Sequence, residues 1–126
     1  GTHGLKFPWS NKFLEKRANL SGKADGFEFM APVGSFPMGR SVYGVYDMSG
    51  NVSEWVLDIY DQFYYQSAPM MNPTGPKKGK NRVYRGGSWD SRSVDIRTSK
   101  RFAATEGRKD AVLGFRCGLS KADLKE

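Results

Sequence analysis

Two short stretches of the chain set oxygen-bearing side chains around glycines. Asp47, Asn51 and Glu54 surround Gly50, while Asn19 and Asp25 flank Gly22, with Gly26 just beyond. Hard cations such as calcium gather roughly six to eight oxygens from carboxylates, amides, main-chain carbonyls and water, and tight turns bring such oxygens together. The same residues suit a plainer role, with Asp47 and Asn51 capping a turn and Glu54 paired with an arginine. Residue types alone leave both readings open. Soft-ligand and nucleophilic chemistry is more restricted. Cys117 is the only cysteine and His3, at the chain's edge, the only histidine. Those counts rule out an intrachain disulfide and a Cys/His zinc site, and they argue against a Ser-His-Asp triad or a Cys-His dyad.

The elements that must position these groups are short. With 126 residues and 38% hydrophobic content, the chain is the size of one domain with a core of its own. The 15 glycines and 13% aromatics point to tight turns around bulky side chains rather than long helices. Residues 1–30 read as loop, with faint helical pattern over Lys12–Ala18, and Pro32 to Gly39 must be extended or turning. Val52–Asp58 suits a short buried strand or helical turn. Arg82-Val83-Tyr84-Arg85 is a strand stopped by Gly86-Gly87, and Arg97–Ala104 is a short helix or strand. Leu113 to Gly118 reads as a closing strand. Residues 61–81, with Pro69, Pro73, Gly75, Pro76 and Gly79, form a surface excursion, and 121–126 a polar tail. The fold class is α+β, irregular and loop-rich, with a small sheet.

Charge is uneven. Residues 76–109 carry eleven Lys/Arg against Asp90, Asp95 and Glu106, out of a net charge of +7. Such a region attracts anionic partners, but no zinc-finger spacing, RNP aromatic pattern or basic heptad accompanies it, which argues against nucleic acid. No apolar run reaches the roughly 18–20 residues needed to span a bilayer. Gly1-Thr2-His3-Gly4 does not read as a signal peptide and resembles the trimmed end of a longer chain.

Five segments in order resemble one family. Phe7-Pro8-Trp9-Ser10-Asn11 and Ala31-Pro32-Val33-Gly34-Ser35-Phe36-Pro37 come first. Asp47-Met48-Ser49-Gly50-Asn51-Val52-Ser53-Glu54-Trp55 follows, then Arg82-Val83-Tyr84-Arg85-Gly86-Gly87-Ser88-Trp89 and Leu113-Gly114-Phe115-Arg116-Cys117. They are similar to signatures of the formylglycine-generating-enzyme (sulfatase-modifying-factor) family. The resemblance implies a C-type-lectin-like fold with a twisted antiparallel sheet, residues 1–120 being the C-terminal portion of such a domain. It also implies a missing N-terminal half, or a partner chain in its place.

Calcium as a structural ion at two sites is implied in the same way. Asn19 and Asp25 would give side-chain oxygens and Leu20 and Phe27 carbonyls at the first. Asp47 and Glu54 would give carboxylates, and Gly50 and Val52 carbonyls, at the second. Such sites favour an extracytoplasmic setting. The family's oxidase chemistry uses copper held by two cysteines, because Cu(I) prefers thiolates. The positions matching that pair hold Ser91 and Ile96, so this chain is not expected to generate formylglycine. Ser53 also departs from the family, which usually has tryptophan there, and Cys117 is expected to be a small buried hydrophobe. Trp89, Asp90, Ser91, Arg92, Asp95, Arg97 and Arg101 are the candidate ligand surface, for a small molecule or a protein, with Trp89 anchoring the core beside it. The leading expectation is a non-catalytic, calcium-stabilised binding or scaffold module. The alternative is the substrate-binding part of an oxidoreductase, of the ergothioneine sulfoxide-synthase or formylglycine-generating kind, with its redox-metal ligands on a missing segment.

Overall fold

A computed structural model describes residues 4–119; His3 and the tail at 121–126 lie outside the described residues. Alternating side chains in Arg-Val-Tyr-Arg make a strand with one buried face, and Val83 is buried while its neighbours are not. This strand, β2 (Arg82–Arg85), pairs antiparallel with β1 (Ser53–Ile59) and with β3 (Phe102–Ala104). β4 (Leu113–Gly114) lies on the far side of β1, giving the order β3-β2-β1-β4. Cross-strand aromatics stiffen the face opposite Val83. Trp55 meets Tyr84 edge-on at 5.7 Å, and Tyr84 stacks on Phe102 at 5.2 Å. The pairing slips between Trp55 and Ile59, and Arg82 Nη1 donates to the Leu57 carbonyl within that slip at 2.8 Å.

Several expectations need correcting. The sheet is mixed rather than antiparallel, because β4 runs parallel to β1. A strand returning after a connection of more than fifty residues is not held to hairpin geometry. The closing strand stops at Gly114 instead of continuing to Gly118, since Arg116 turns to reach Glu54, Tyr46 and Asp47. Cys117, expected to be buried, is exposed for the same reason: the chain has already left the sheet. Lys12–Ala18 forms turns, not helix; Lys16 has φ +58° and Arg17 donates to the Met38 carbonyl. Within Arg97–Ala104, only the last three residues are strand.

Off the sheet, Phe7, Ala18 and Ile96 make a compact apolar cluster, with Trp9 and Leu20 packed against it. Phe7 stacks on Trp9 at 5.6 Å. Thr98 holds this N-terminal stretch in place through its backbone N–H to the Lys6 carbonyl at 3.0 Å. No helix among the described residues is long and apolar enough to cross a membrane.

Candidate metal loops and the amide lock between them

Asn51 has φ +64°, a conformation that asparagine tolerates better than most residues. That turn aims its amide inward, where it is buried. Its Oδ1 accepts from the Ala31 N–H at 2.9 Å and from Asn19 Nδ2 at 3.2 Å, and its Nδ2 donates to the Ala31 carbonyl at 3.2 Å. Its backbone N–H donates to the Asn19 carbonyl at 2.9 Å, and its carbonyl accepts from the Trp89 N–H at 2.8 Å. One residue thereby ties together the loops at 19, 31 and 89.

Gly50 lets this happen. At φ +78°, a Cβ there would stand 2.3 Å from the Asn19 carbonyl oxygen. Gly50→Ala is therefore expected to cost about 2 kcal/mol, from left-handed strain plus forced separation of the two loops. Urea unfolding followed by tryptophan fluorescence would measure it; an unchanged midpoint would show that the loops do not need this approach.

Asn19 is fully buried, and its Nδ2 also donates to the Phe29 carbonyl at 2.7 Å. Two acceptors fix that nitrogen, so the amide cannot be turned over without facing oxygen against oxygen. Its Oδ1 then has no partner, the one such buried side-chain atom among the described residues. An unpaired buried acceptor is costly unless a donor or cation supplies what is missing. Nearby in sequence, the Asp25 carboxylate accepts from the Leu20 N–H at 2.7 Å and the Phe27 N–H at 3.0 Å, which closes the loop around the same region. Among the described residues no three His, Cys, Asp or Glu gather. An ion here would rest on one carboxylate plus amide and main-chain oxygens, a set that suits a hard cation. The first loop supplies oxygens of the type a hard cation takes, with both Asp25 oxygens already accepting from backbone N–H groups.

The second loop is differently arranged. Asp47, at φ +54°, accepts from the Gly34 N–H through Oδ2 at 2.8 Å. Glu54 is forked by Arg116, with Nε on Oε2 at 2.6 Å and Nη2 on Oε1. The same guanidinium donates to the carbonyls of Tyr46 at 2.8 Å and Asp47 at 3.0 Å. Hydrogen bonding to Glu54, offset by partial burial, raises the Arg116 pKa above its ordinary value. Of the two roles open to Glu54, the arginine pair is the one formed here. Calcium at Asp47, Gly50, Val52 and Glu54 would compete with a resident cation.

Ser91 and Ile96 border the same glycine. A Cβ on Gly87, at φ +69°, would lie 2.7 Å from Ile96 Cγ2 and 3.2 Å from Ser91 Oγ. The Ser91 hydroxyl accepts from the Ser88 N–H at 2.9 Å, and Ile96 is wholly buried. The other candidate ligand residues do not converge. Trp89 and Asp90 border one cleft with Phe29, Ser91 and Arg92 border a second with Asp25, and Arg97 borders a third with Phe7. Trp89 is half-buried, its ring edge-on to Phe29 at 5.3 Å rather than in the central cluster. Asp95 pairs weakly with Arg92 and Lys100 at 3.7 and 3.9 Å. Arg101 folds over Tyr60 and Tyr65, 5.2 and 4.6 Å from their ring centres. Sequence reasoning missed the Asn51 lock, although the Gly-Asn dipeptide was visible; it allowed Glu54 an arginine partner without singling out Arg116.

A small mixed sheet with few helices, long structured loops and this lock defines a loop-rich domain of the C-type-lectin-like kind. The description "Sulfatase-modifying factor enzyme 1-like domain" matches residues 1–121, and the chain belongs to that family. It is 36% identical over 119 residues to the serine/threonine-protein kinase Pkn1 of Chlamydia trachomatis, covering 93% of this chain and 18% of the kinase. It is 37% identical to the formylglycine-generating enzyme of Mus musculus, covering 93% of this chain and 34% of that protein. It is 34% identical to the mouse inactive C-alpha-formylglycine-generating enzyme 2, covering 100% and 40%. The solved structure of PvdO from Pseudomonas aeruginosa superposes with a TM-score of 0.73 at 33% identity, covering 87% of this chain and 42% of PvdO. The chain thus spans well under half the length of these proteins.

Proposed function

We propose that the chain is a non-catalytic, calcium-stabilised binding or scaffold module of the sulfatase-modifying-factor family. The observation that carries this is the pair beside Gly87, a hydroxyl already hydrogen-bonded to the backbone and a buried hydrocarbon. Neither can act as a soft ligand for Cu(I). Similarity to a relative named as inactive supports the same reading. Asn19 with its unpaired Oδ1, Leu20, Asp25 and Phe27 would hold calcium at the first loop. A second, weaker site at Asp47, Gly50, Val52 and Glu54 would share its carboxylate with Arg116. The ion's role is to hold loops together, and dependence on it favours an extracytoplasmic setting, where calcium is abundant. The ligand surface lies near residues 89–109, whose side chains border three separate clefts.

Copper titration tests the non-catalytic part. With the exposed Cys117 changed to serine, the protein is expected to take up no Cu(I) in competition with a moderate chelator. Stoichiometric uptake by this chain would overturn the reading, whereas uptake by the full-length protein alone would favour the alternative, a redox enzyme's substrate-binding part with its metal ligands on another segment.

A further inference from the structure

Between β1 and β2 the chain makes a long excursion that is closed at its base. The Tyr60 N–H donates to the Asn81 carbonyl at 2.8 Å. Residues 75–79 run back along the end of β1: a Cβ on Gly75 would stand 3.2 Å from Asp58 Cβ, and one on Gly79 would collide with Ile59 Cγ2. From beside β3, Arg101 pins the start of the excursion. Its guanidinium lies over the Tyr60 and Tyr65 rings, and Nη1 donates to the Asp61 carbonyl at 3.0 Å. Beyond this neck three large apolar side chains stand in water. Phe63 is 61% exposed, Met71 81%, and Met70 wholly so. Single exposed apolar residues are ordinary, but a group of them on one excursion marks a contact site. They contribute nothing to the fold, because so little of their area leaves water.

The neck carries the charge that decides what this tip meets. Lys77, Lys78 and Lys80 are exposed and join no ion pair among the described residues, while the neighbouring Arg82 is held by Glu106. We propose that the excursion docks on an anionic lipid bilayer, with Phe63, Met70 and Met71 entering the headgroup boundary and the three lysines meeting the lipid phosphates. The make-up of the tip selects lipid over other polyanions. A nucleic acid or acidic polysaccharide would engage the lysines, yet offers no hydrocarbon to two consecutive methionines. Methionine is unbranched and adapts to a disordered apolar medium. Lysine lays its stem on apolar surface while its charge stays in water. A small apolar tip alone binds a membrane weakly, and basic residues beside it add attraction to an anionic leaflet, so both parts are needed. The contact is peripheral and reversible. It stands apart from the calcium loops, the copper reading and the surface near residues 89–109.

Co-sedimentation with lipid vesicles tests this. In about 0.1 M salt, vesicles of equal parts phosphatidylglycerol and phosphatidylcholine should bind the chain at least about tenfold more tightly than vesicles of phosphatidylcholine alone. Met70→Ser with Met71→Ser should weaken that binding at least about fivefold. Lys77→Gln, Lys78→Gln and Lys80→Gln together should weaken it at least about tenfold. Neither variant should shift the melting temperature, because all five side chains are exposed. Insertion is read separately: Met71→Trp should add blue-shifted emission, quenched by lipid brominated along its acyl chains, with the anionic vesicles only. No binding to anionic vesicles would overturn the proposal, as would equal binding to both kinds or parent-like binding by either variant. An added tryptophan that brominated lipid leaves unquenched would overturn it too. So would a marked drop in melting temperature, which would make these packing residues. Binding to heparin that is tighter than to the vesicles and indifferent to the methionine change would assign the surface to a soluble polyanion instead.

Discussion

Asn51→Ala is expected to remove about 3–5 kcal/mol of stability, a large share in a domain whose whole stability is of order 5–15 kcal/mol. The loss has two parts. Alanine leaves the Ala31 N–H, the Ala31 carbonyl and one Asn19 Nδ2 hydrogen bond unsatisfied in a buried place. It also puts a Cβ without a compensating amide at φ +64°. Asn51→Gly separates the two, because glycine carries the backbone conformation at no steric cost. The glycine variant should therefore be less destabilised than the alanine variant, yet well below the parent. Urea unfolding followed by tryptophan fluorescence would measure all three. Parent-like stability in both variants would show that the amide lock contributes little.

The second large effect falls on Ile96. This side chain is wholly buried against Phe7 and Ala18, and its backbone carbonyl accepts from the Ser49 hydroxyl at 2.8 Å. Ile96→Ala would open a cavity in a cluster too small to collapse around it, at a cost of about 2–5 kcal/mol. Ser91→Ala, which removes one hydrogen bond to the Ser88 N–H, should cost no more than about 1–2 kcal/mol. Such an asymmetry is expected if position 96 serves packing and position 91 serves a turn. Equal and small losses at both positions, by thermal or urea unfolding, would show that Ile96 is not a packing residue.

The sequence made some of this legible and hid the rest for definite reasons. β2 was readable to the residue, because Arg82-Val83-Tyr84-Arg85 alternates and Gly86-Gly87 ends it. The start of β1 after Asn51 was readable on similar grounds. The direction of β4 was not, since its partner is about sixty residues away and nothing local records which way the chain returns. The fate of Cys117 followed from Arg116, whose partners at Glu54, Tyr46 and Asp47 are equally distant. Lys12–Ala18 lost its faint helix to tertiary demands on Lys16 and Arg17. For the site, the residue types were visible but the division of labour was not. Asn51 looked like a turn former and proves also to be the main cross-link between loops, while Asn19 looked like one ligand among several and holds the unpaired oxygen. Family membership was legible from ordered motifs and is shown by the match over residues 1–121.

Thermal unfolding with and without calcium tests the central claim most directly. With calcium a hundredfold above its dissociation constant, one specific site adds about 2.7 kcal/mol, which for a chain of this size raises the melting temperature by about 10 °C over a chelator-treated sample. Asp25→Asn should remove most of that shift, because the charged ligand of the first loop is lost; the amide oxygen keeps one of the two backbone N–H bonds, so the variant in chelator is the control for the loss of the other. Superimposable melting curves for the parent in calcium and in chelator would contradict the account.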